Sequence, residues 1–331
     1  MADIDLTFAS EDYDHIRDLA TGRVKPEGIR LTHLLHQVEE IFFRFTTTMD
    51  WEVSEVSFGM FSSLMAQDNP PFVGIPVFPS RVFRHSSFYV RPDGSVKKPE
   101  DLAGKRIGVP QWSQTATVYA RGWITDTVGI PLGRMTWFQS GVNDPGRQET
   151  AKIRLPEGVK LTFCTDRSLT KMLIDGDLDA VISAHAPHLF EDGDPRIVRL
   201  IPDYRDAEER YYRATGIFPI MHTVAIRRDV YERNRWIARN LMTAFEEAKR
   251  RSFRRLLDVT ASHLAIPWGN VYAERAEKIV FGDGEPWPYG IEPNRTTIDA
   301  FLRFCYEQGV TARHLKAEEI FAKETQRSFK V

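Results

Sequence analysis

The sequence predicts an α/β protein in two lobes with largely parallel sheets. Short apolar runs of strand character alternate with helical stretches along the chain, the pattern of βαβ units. At 331 residues the chain is too long for one small core. Two crossing segments, near 84–90 and 221–226, let it leave one lobe and return. Lobe 1 is then 1–87 with 224–331, and lobe 2 is 88–223. A ligand is expected in the cleft between them, outside the carboxyl ends of strands.

IDLTFAS (4–10) alternates apolar and polar residues and predicts a strand. Glu11 to Leu19 reads as a helix start, with Ser10 or Asp12 able to cap it. IRLTHLL is the second strand, VEEIFFRFTTTMDWE a helix, and EVSFGMFSSLMAQ a short strand entering a helix. PFVGIPVFP is a buried strand cut by prolines, and SSFYVRPDG ends in a turn. RIGVP follows as a strand, then a helix from about Gln114 to Val128. MTWFQ, KLTFC, LDAVISA and VRLIPDY read as strands, with a helix around LTKMLIDGD. GIFPIMHTVAIRRDVYER returns as a long apolar run. The helix after it carries Ile237, Leu241, Phe245 and Ala248 on one stripe. Its run KRRSFRR (249–255) reads as a solvated face.

The chain is 42% hydrophobic and 27% charged, ordinary for a globular protein. A net charge of −2 gives no reason to expect a nucleic-acid or membrane partner. No run approaches the ~20 apolar residues of a membrane span. The N-terminal stretch carries acids where a signal peptide carries bases, so a cytoplasmic location is expected. Cys164 and Cys305 are too few for a disulfide framework. Homo-oligomerisation is left open.

Several stretches together carry a family likeness: ASEDYDHIRDL, RVKPEGI, PPFVGIPVFPSRVFRHSSFYV, KPEDLAGKRIGVPQWSQTA, DPGRQE, GDLDAVISAHAP and GIFPIMHTVAIRRDVYER. In these the chain resembles the 4,5-dihydroxyphthalate decarboxylase family over nearly its whole length. KPEDLAGKRIGVP and GDLDAV are general to the fold, whereas FPSRVFRHS, DPGRQE and GIFPIMH are specific to the decarboxylase-like branch. The resemblance implies the type II periplasmic-binding-protein-like fold. It also implies conversion of 4,5-dihydroxyphthalate to 3,4-dihydroxybenzoate and carbon dioxide, a step of phthalate degradation. The alternatives are a decarboxylase of a related hydroxylated aromatic acid and a non-catalytic binding protein for an aromatic carboxylate.

Losing carbon dioxide from an aromatic ring leaves an electron pair on the ring carbon. A hydroxyl para to the carboxylate, once deprotonated, raises electron density at that carbon, which then accepts a proton. The site needs a base near the phenol, an acid near the ring carbon, and cations for a small aromatic dicarboxylate. No cofactor is expected.

Arg81, Arg84 and His85 in PSRVFRHSSF read as a carboxylate clamp or a charged turn. Arg147 in DPGRQE is a second cation, equally well a solvent residue. In QWSQTA, Gln111 leads a strand-to-helix turn, Ser113 and Thr115 can cap the helix, and its free N–H groups favour an anion. Trp112 there can stack on a ring. Ser57 and Phe58 sit at another strand end, placed for ring contact. Glu11 follows the first strand and is a candidate phenol base. His185 and His188 follow LDAVIS, and Pro187 between them prevents a clean helix start. With His222 they are candidates for acid–base or substrate-binding roles. The metal alternative is a divalent ion on His185, His188 and His222, with Glu11 as a fourth ligand.

Overall fold

The computed structural model describes residues 3–326 except 283 and 286. The chain opens with β1 (Ile4–Ser10), a short α1 (Arg17–Ala20), β2 (Ile29–Leu35), α2 (Val38–Thr47), β3 (Val53–Ser57), α3 (Phe58–Met65) and β4 (Phe72–Ile75). It crosses through a tight turn at His85–Ser87 into β5 (Phe88–Val90). Next come β6 (Arg106–Val109), α4 (Thr115–Trp123), β7 (Thr136–Gln139), β8 (Lys160–Phe163), α5 (Leu169–Ile174) and β9 (Ala180–Ile182). Then follow α6 (His188–Glu191), β10 (Val198–Arg199), α7 (Tyr204–Thr215), β11 (His222–Arg227) and α8 (Arg228–Arg233). The chain ends with α9 (Ile237–Leu256), α10 (Gly269–Phe281), α11 (Arg295–Glu307) and α12 (Ala317–Ile320).

Two sheets result. The first has the order β2-β1-β3-β11-β4, and the second β10-β5-β9-β6-β7-β8. β1 is parallel to β2 and β3, and β6 is parallel to β7 and β9. The returning strand β11 is antiparallel to β3 and β4, with His222 opposite Ser57. This is the expected mixed, largely parallel α/β architecture. Helix α11 packs on both α3 and α4, so the C-terminal segment touches elements of both sheets.

The stripe on α9 is buried as its spacing requires: Ile237, Leu241, Phe245 and Ala248 are fully enclosed. Phe245 meets Phe8 edge-on, with ring centroids 5.2 Å apart. KRRSFRR is solvated on one side only, at Arg250 and Arg254. Lys249 is only 1% exposed, lies 2.8 Å from Glu246, and stands over the Tyr289 ring. Ser252 bonds Asp14, and Arg255 bonds Asp18 at 2.9 Å. One face of this basic run fastens α9 to α1.

Two other local readings change. The helix expected from Glu11 starts only at Arg17, because Glu11 and Tyr13 turn towards the Glu55 carboxylate. Pro187 does not obstruct α6 but stands at its N-cap, where a missing N–H costs nothing. Helix α7 was not anticipated from the sequence; Tyr204, Ala207 and Tyr211 form its inward stripe, and of these only Tyr211 is fully buried. Both cysteines are free. Among the described residues, no helix is long and apolar enough to cross a membrane.

Replacing Phe245 with Ala removes a fully packed ring between α9 and β1. The expected cost is ~3–5 kcal/mol, read as a lower urea midpoint. A change under ~1 kcal/mol would show that this stripe does not anchor the first sheet.

Candidate active site

The centre of the site is a carboxylate that the sequence reading missed. Glu55 lies on β3 and is completely enclosed. His222 Nδ1 donates to its Oε1 at 2.5 Å, and the Tyr13 hydroxyl donates to the same oxygen at 2.6 Å. The Glu11 N–H donates to Oε2 at 3.0 Å. Burial pushes the Glu55 carboxyl up, but the His222 charge and hydrogen bond, with the Tyr13 hydrogen bond, outweigh it and hold the group below its usual range. Burial and then the Glu55 charge push the Tyr13 hydroxyl far above its ordinary value, so it remains a donor. With Nδ1 committed to Glu55, Nε2 is the nitrogen His222 has free for chemistry. Phe42 on α2 packs edge-on against the imidazole, centroids 4.9 Å apart.

Beside this cluster two helix starts meet. Ser57 Oγ and Thr115 Oγ1 are 2.9 Å apart, and the Gly59 N–H donates to Thr115 Oγ1 at 2.9 Å. A β-carbon at Gly59 would come within 2.3 Å of the Ser113 carbonyl oxygen. Glycine is what lets α3, from the first sheet, touch α4, from the second. A further bridge joins the sheets where His185 Nε2 meets Glu39 Oε1 at 2.9 Å. That hydrogen bond raises the His185 pKa and lowers that of Glu39.

Near this bridge, Arg84 and Arg147 have no acidic hydrogen-bond partner among the described residues. Arg84 is half-buried, and its Nε donates to the Met221 sulfur at 3.1 Å. Burial draws its pKa down to about 10, still well charged. Arg147 donates to Gln111 Oε1 at 3.3 Å. Both arginines enter the electrostatics of His185.

Several expected contacts take other roles. Trp112 is fully buried under the Arg121 guanidinium, 3.8 Å from its ring centroid, with Trp137 at its edge. It presents no face to a ligand. Phe58 is stacked on Phe301 in the core. Arg81 is occupied by Asn294 and the Phe218 carbonyl, both at 2.7 Å. Ser113 is bound to Glu149 through both its hydroxyl and its N–H. Gln111 donates to the Gln148 carbonyl and Thr150, so it braces the 147–150 loop. His85 is enclosed and lies 3.8 Å from Glu208 rather than in an open clamp. His188 is exposed at the start of α6, its N–H on Asn143. The three-histidine set is not assembled: His185 pairs with Glu39 and His222 with Glu55. Among the described residues no group of three or more His, Cys, Asp or Glu is placed to hold a metal.

The two-sheet fold is that of type II periplasmic binding proteins. The aliphatic sulphonate binding protein SsuA from Escherichia coli superposes with a TM-score of 0.54 at 11% identity, covering 98% of this chain and 99% of that one. The desulfurization enzyme DSZB gives 0.51 at 15% identity, covering 96% of each chain. The fold thus hosts both binding proteins and an enzyme. A 4,5-dihydroxyphthalate decarboxylase from Comamonas testosteroni is 36% identical over 332 residues, spanning both chains completely. One from Pseudomonas putida is 37% identical over 215 residues, 65% of this chain and 83% of that protein. The chain belongs to the 4,5-dihydroxyphthalate decarboxylase family. No family model matches it.

The His185–Glu39 bridge has a pH window. The raised His185 stabilises the fold fully below its unfolded value, and that contribution is lost as pH rises through the folded one. The lowered Glu39 contributes above its unfolded value and loses this as pH falls through the folded one. The melting-temperature gap between wild type and Glu39→Gln is therefore expected at pH 6 and should shrink by pH 9. An equal gap at both values contradicts the bridge.

Proposed function

We infer that the protein decarboxylates 4,5-dihydroxyphthalate to 3,4-dihydroxybenzoate, with His222 delivering the proton to the ring. The observation that carries this reading is the whole-length likeness to the Comamonas testosteroni decarboxylase. The Glu55–His222 pair supplies the chemistry. A buried carboxylate fixes the imidazole through Nδ1 and leaves Nε2 as the nitrogen that hands a proton to the ring.

Arg84 and Arg147 take the two carboxylates, since neither has an acid of its own. Glu11, adjacent to the cluster through its N–H on Glu55, accepts the proton of the hydroxyl para to the leaving carboxylate. The phenolate pushes density to the ring carbon, which takes the Nε2 proton as a C–H bond forms. The ring is then a dienone carrying the carboxylate. The carbon–carboxylate bond breaks, its electron pair restores the aromatic ring, and carbon dioxide departs. Glu11 returns its proton to the phenolate, and solvent reprotonates His222. The net change is one carboxylate and one proton exchanged for carbon dioxide and a ring hydrogen.

The test is a spectrophotometric assay with 4,5-dihydroxyphthalate. Wild type should release 3,4-dihydroxybenzoate. His222→Gln, which keeps a donor for Glu55, should lose ~10²–10⁴-fold in kcat with its melting temperature retained. Arg84→Met should raise KM more than it lowers kcat. Tight binding of unchanged substrate by wild type would overturn the catalytic reading in favour of a binding protein. Wild-type turnover in His222→Gln would overturn the role of His222.

A further inference from the structure

A groove of about 770 Å³ opens beside α7, where the end of α4 meets the segment after β10. That volume is in the range of small-molecule sites. It lies apart from the His222 cluster, with Arg84 between the two: that residue bonds Met221 and also borders His85, Trp123 and Tyr211. Thr115, at the start of α4, bonds Ser57 near His222, whereas Trp123, in the groove, ends the same helix. Eight helical steps separate them, roughly 12 Å along the axis.

The walls are apolar and aromatic, with Trp123, Tyr211, Leu200 and Ile201 among them. Lys98 and Arg210 also line the groove, and neither makes an ion pair among the described residues. Of the two acids there, Asp126 is neutralised by Arg303, leaving Asp203. The decisive feature is His85. It lines the groove, is 4% exposed, and neither ring nitrogen has a hydrogen-bond partner among the described residues. Glu208 Oε1 is 3.8 Å from Nδ1, too far to bond. Burial, and then the Arg210 charge, hold the His85 pKa down at about 4. The ring is neutral, with one donor and one acceptor unmade. Buried polar groups of this kind are normally satisfied, and nothing in the described chain satisfies these.

We propose that this groove is a second binding site, for an aromatic carboxylate that carries a ring hydroxyl. The ring lies against Trp123 and Tyr211. The carboxylate faces Lys98 and Arg210. The hydroxyl bonds His85, for which it can both give and accept a hydrogen bond. This site stands on the groove's own chemistry, whichever reaction the interlobe cleft performs.

The test is calorimetric titration with 3,4-dihydroxybenzoate. Wild type is compared with the double variant Lys98→Glu and Arg210→Glu, and with His85→Phe. Lys98 and Arg210 are exposed, so the double variant should keep its melting temperature and its turnover at low substrate. It should lose one binding event per chain. His85→Phe should weaken that event at least tenfold while the other remains. No binding to wild type, or an isotherm unchanged in the double variant, overturns the site. Unchanged affinity in a folded His85→Phe overturns the role of His85.

Discussion

The buried charge of Glu55 organises the structure around it. An ionised carboxylate with no exposure to water is costly, by several kcal/mol, unless its oxygens are fully hydrogen-bonded. Here one oxygen takes His222 and Tyr13, and the other takes the Glu11 N–H. Those partners come from two places in the chain, the exit of β1 and the start of β11, and meet Glu55 on β3. The carboxylate therefore works only when β11 has returned from the second sheet and lies beside β3. Chemistry and topology depend on the same hydrogen bonds.

Other features follow from that constraint. The segment after β1 cannot continue as a helix while Glu11 and Tyr13 reach for Glu55, so it turns instead. Pairing of His222 with Ser57 puts the imidazole next to the start of α3. Gly59 lets α4 approach there, so Thr115 from the second sheet reaches Ser57 from the first. The connecting segments contribute Arg84, tied to Met221, the residue before His222. Arg147 and the His185–Glu39 bridge lie at the join between the two sheets.

Much of the fold was legible because it rests on periodicity. The strands from β1 to β11, and the stripe of α9, follow from alternation and from the spacing of Ile237, Leu241, Phe245 and Ala248. Helix α7 was passed over because its inward stripe, Tyr204, Ala207 and Tyr211, is short and set among charged residues. The candidate site was legible only in part. Strand-end position singled out Glu11, Ser57 and Thr115, and the return crossover His222; the structure brings these together with Glu55. Glu55 itself stands inside an apolar strand, VSEVS, where it reads as an outward residue. An acid amid a run otherwise buried on both faces was the available signal, since a sheet interior tolerates such a charge only with partners. Trp112, Phe58 and Arg81 went the other way. Residue type suggested ligand contact, but burial and their partners Arg121, Phe301 and Asn294 hold them in the core.

The central claim is that Glu55 holds His222 by Nδ1 and leaves Nε2 for the ring carbon. Proton–nitrogen NMR on histidine-labelled protein tests it most directly. An exchange-protected, downfield Nδ1 proton belonging to His222 is expected, and it should disappear in Glu55→Gln. A His222 protonated at Nε2 alone, with the same spectrum in Glu55→Gln, would contradict it.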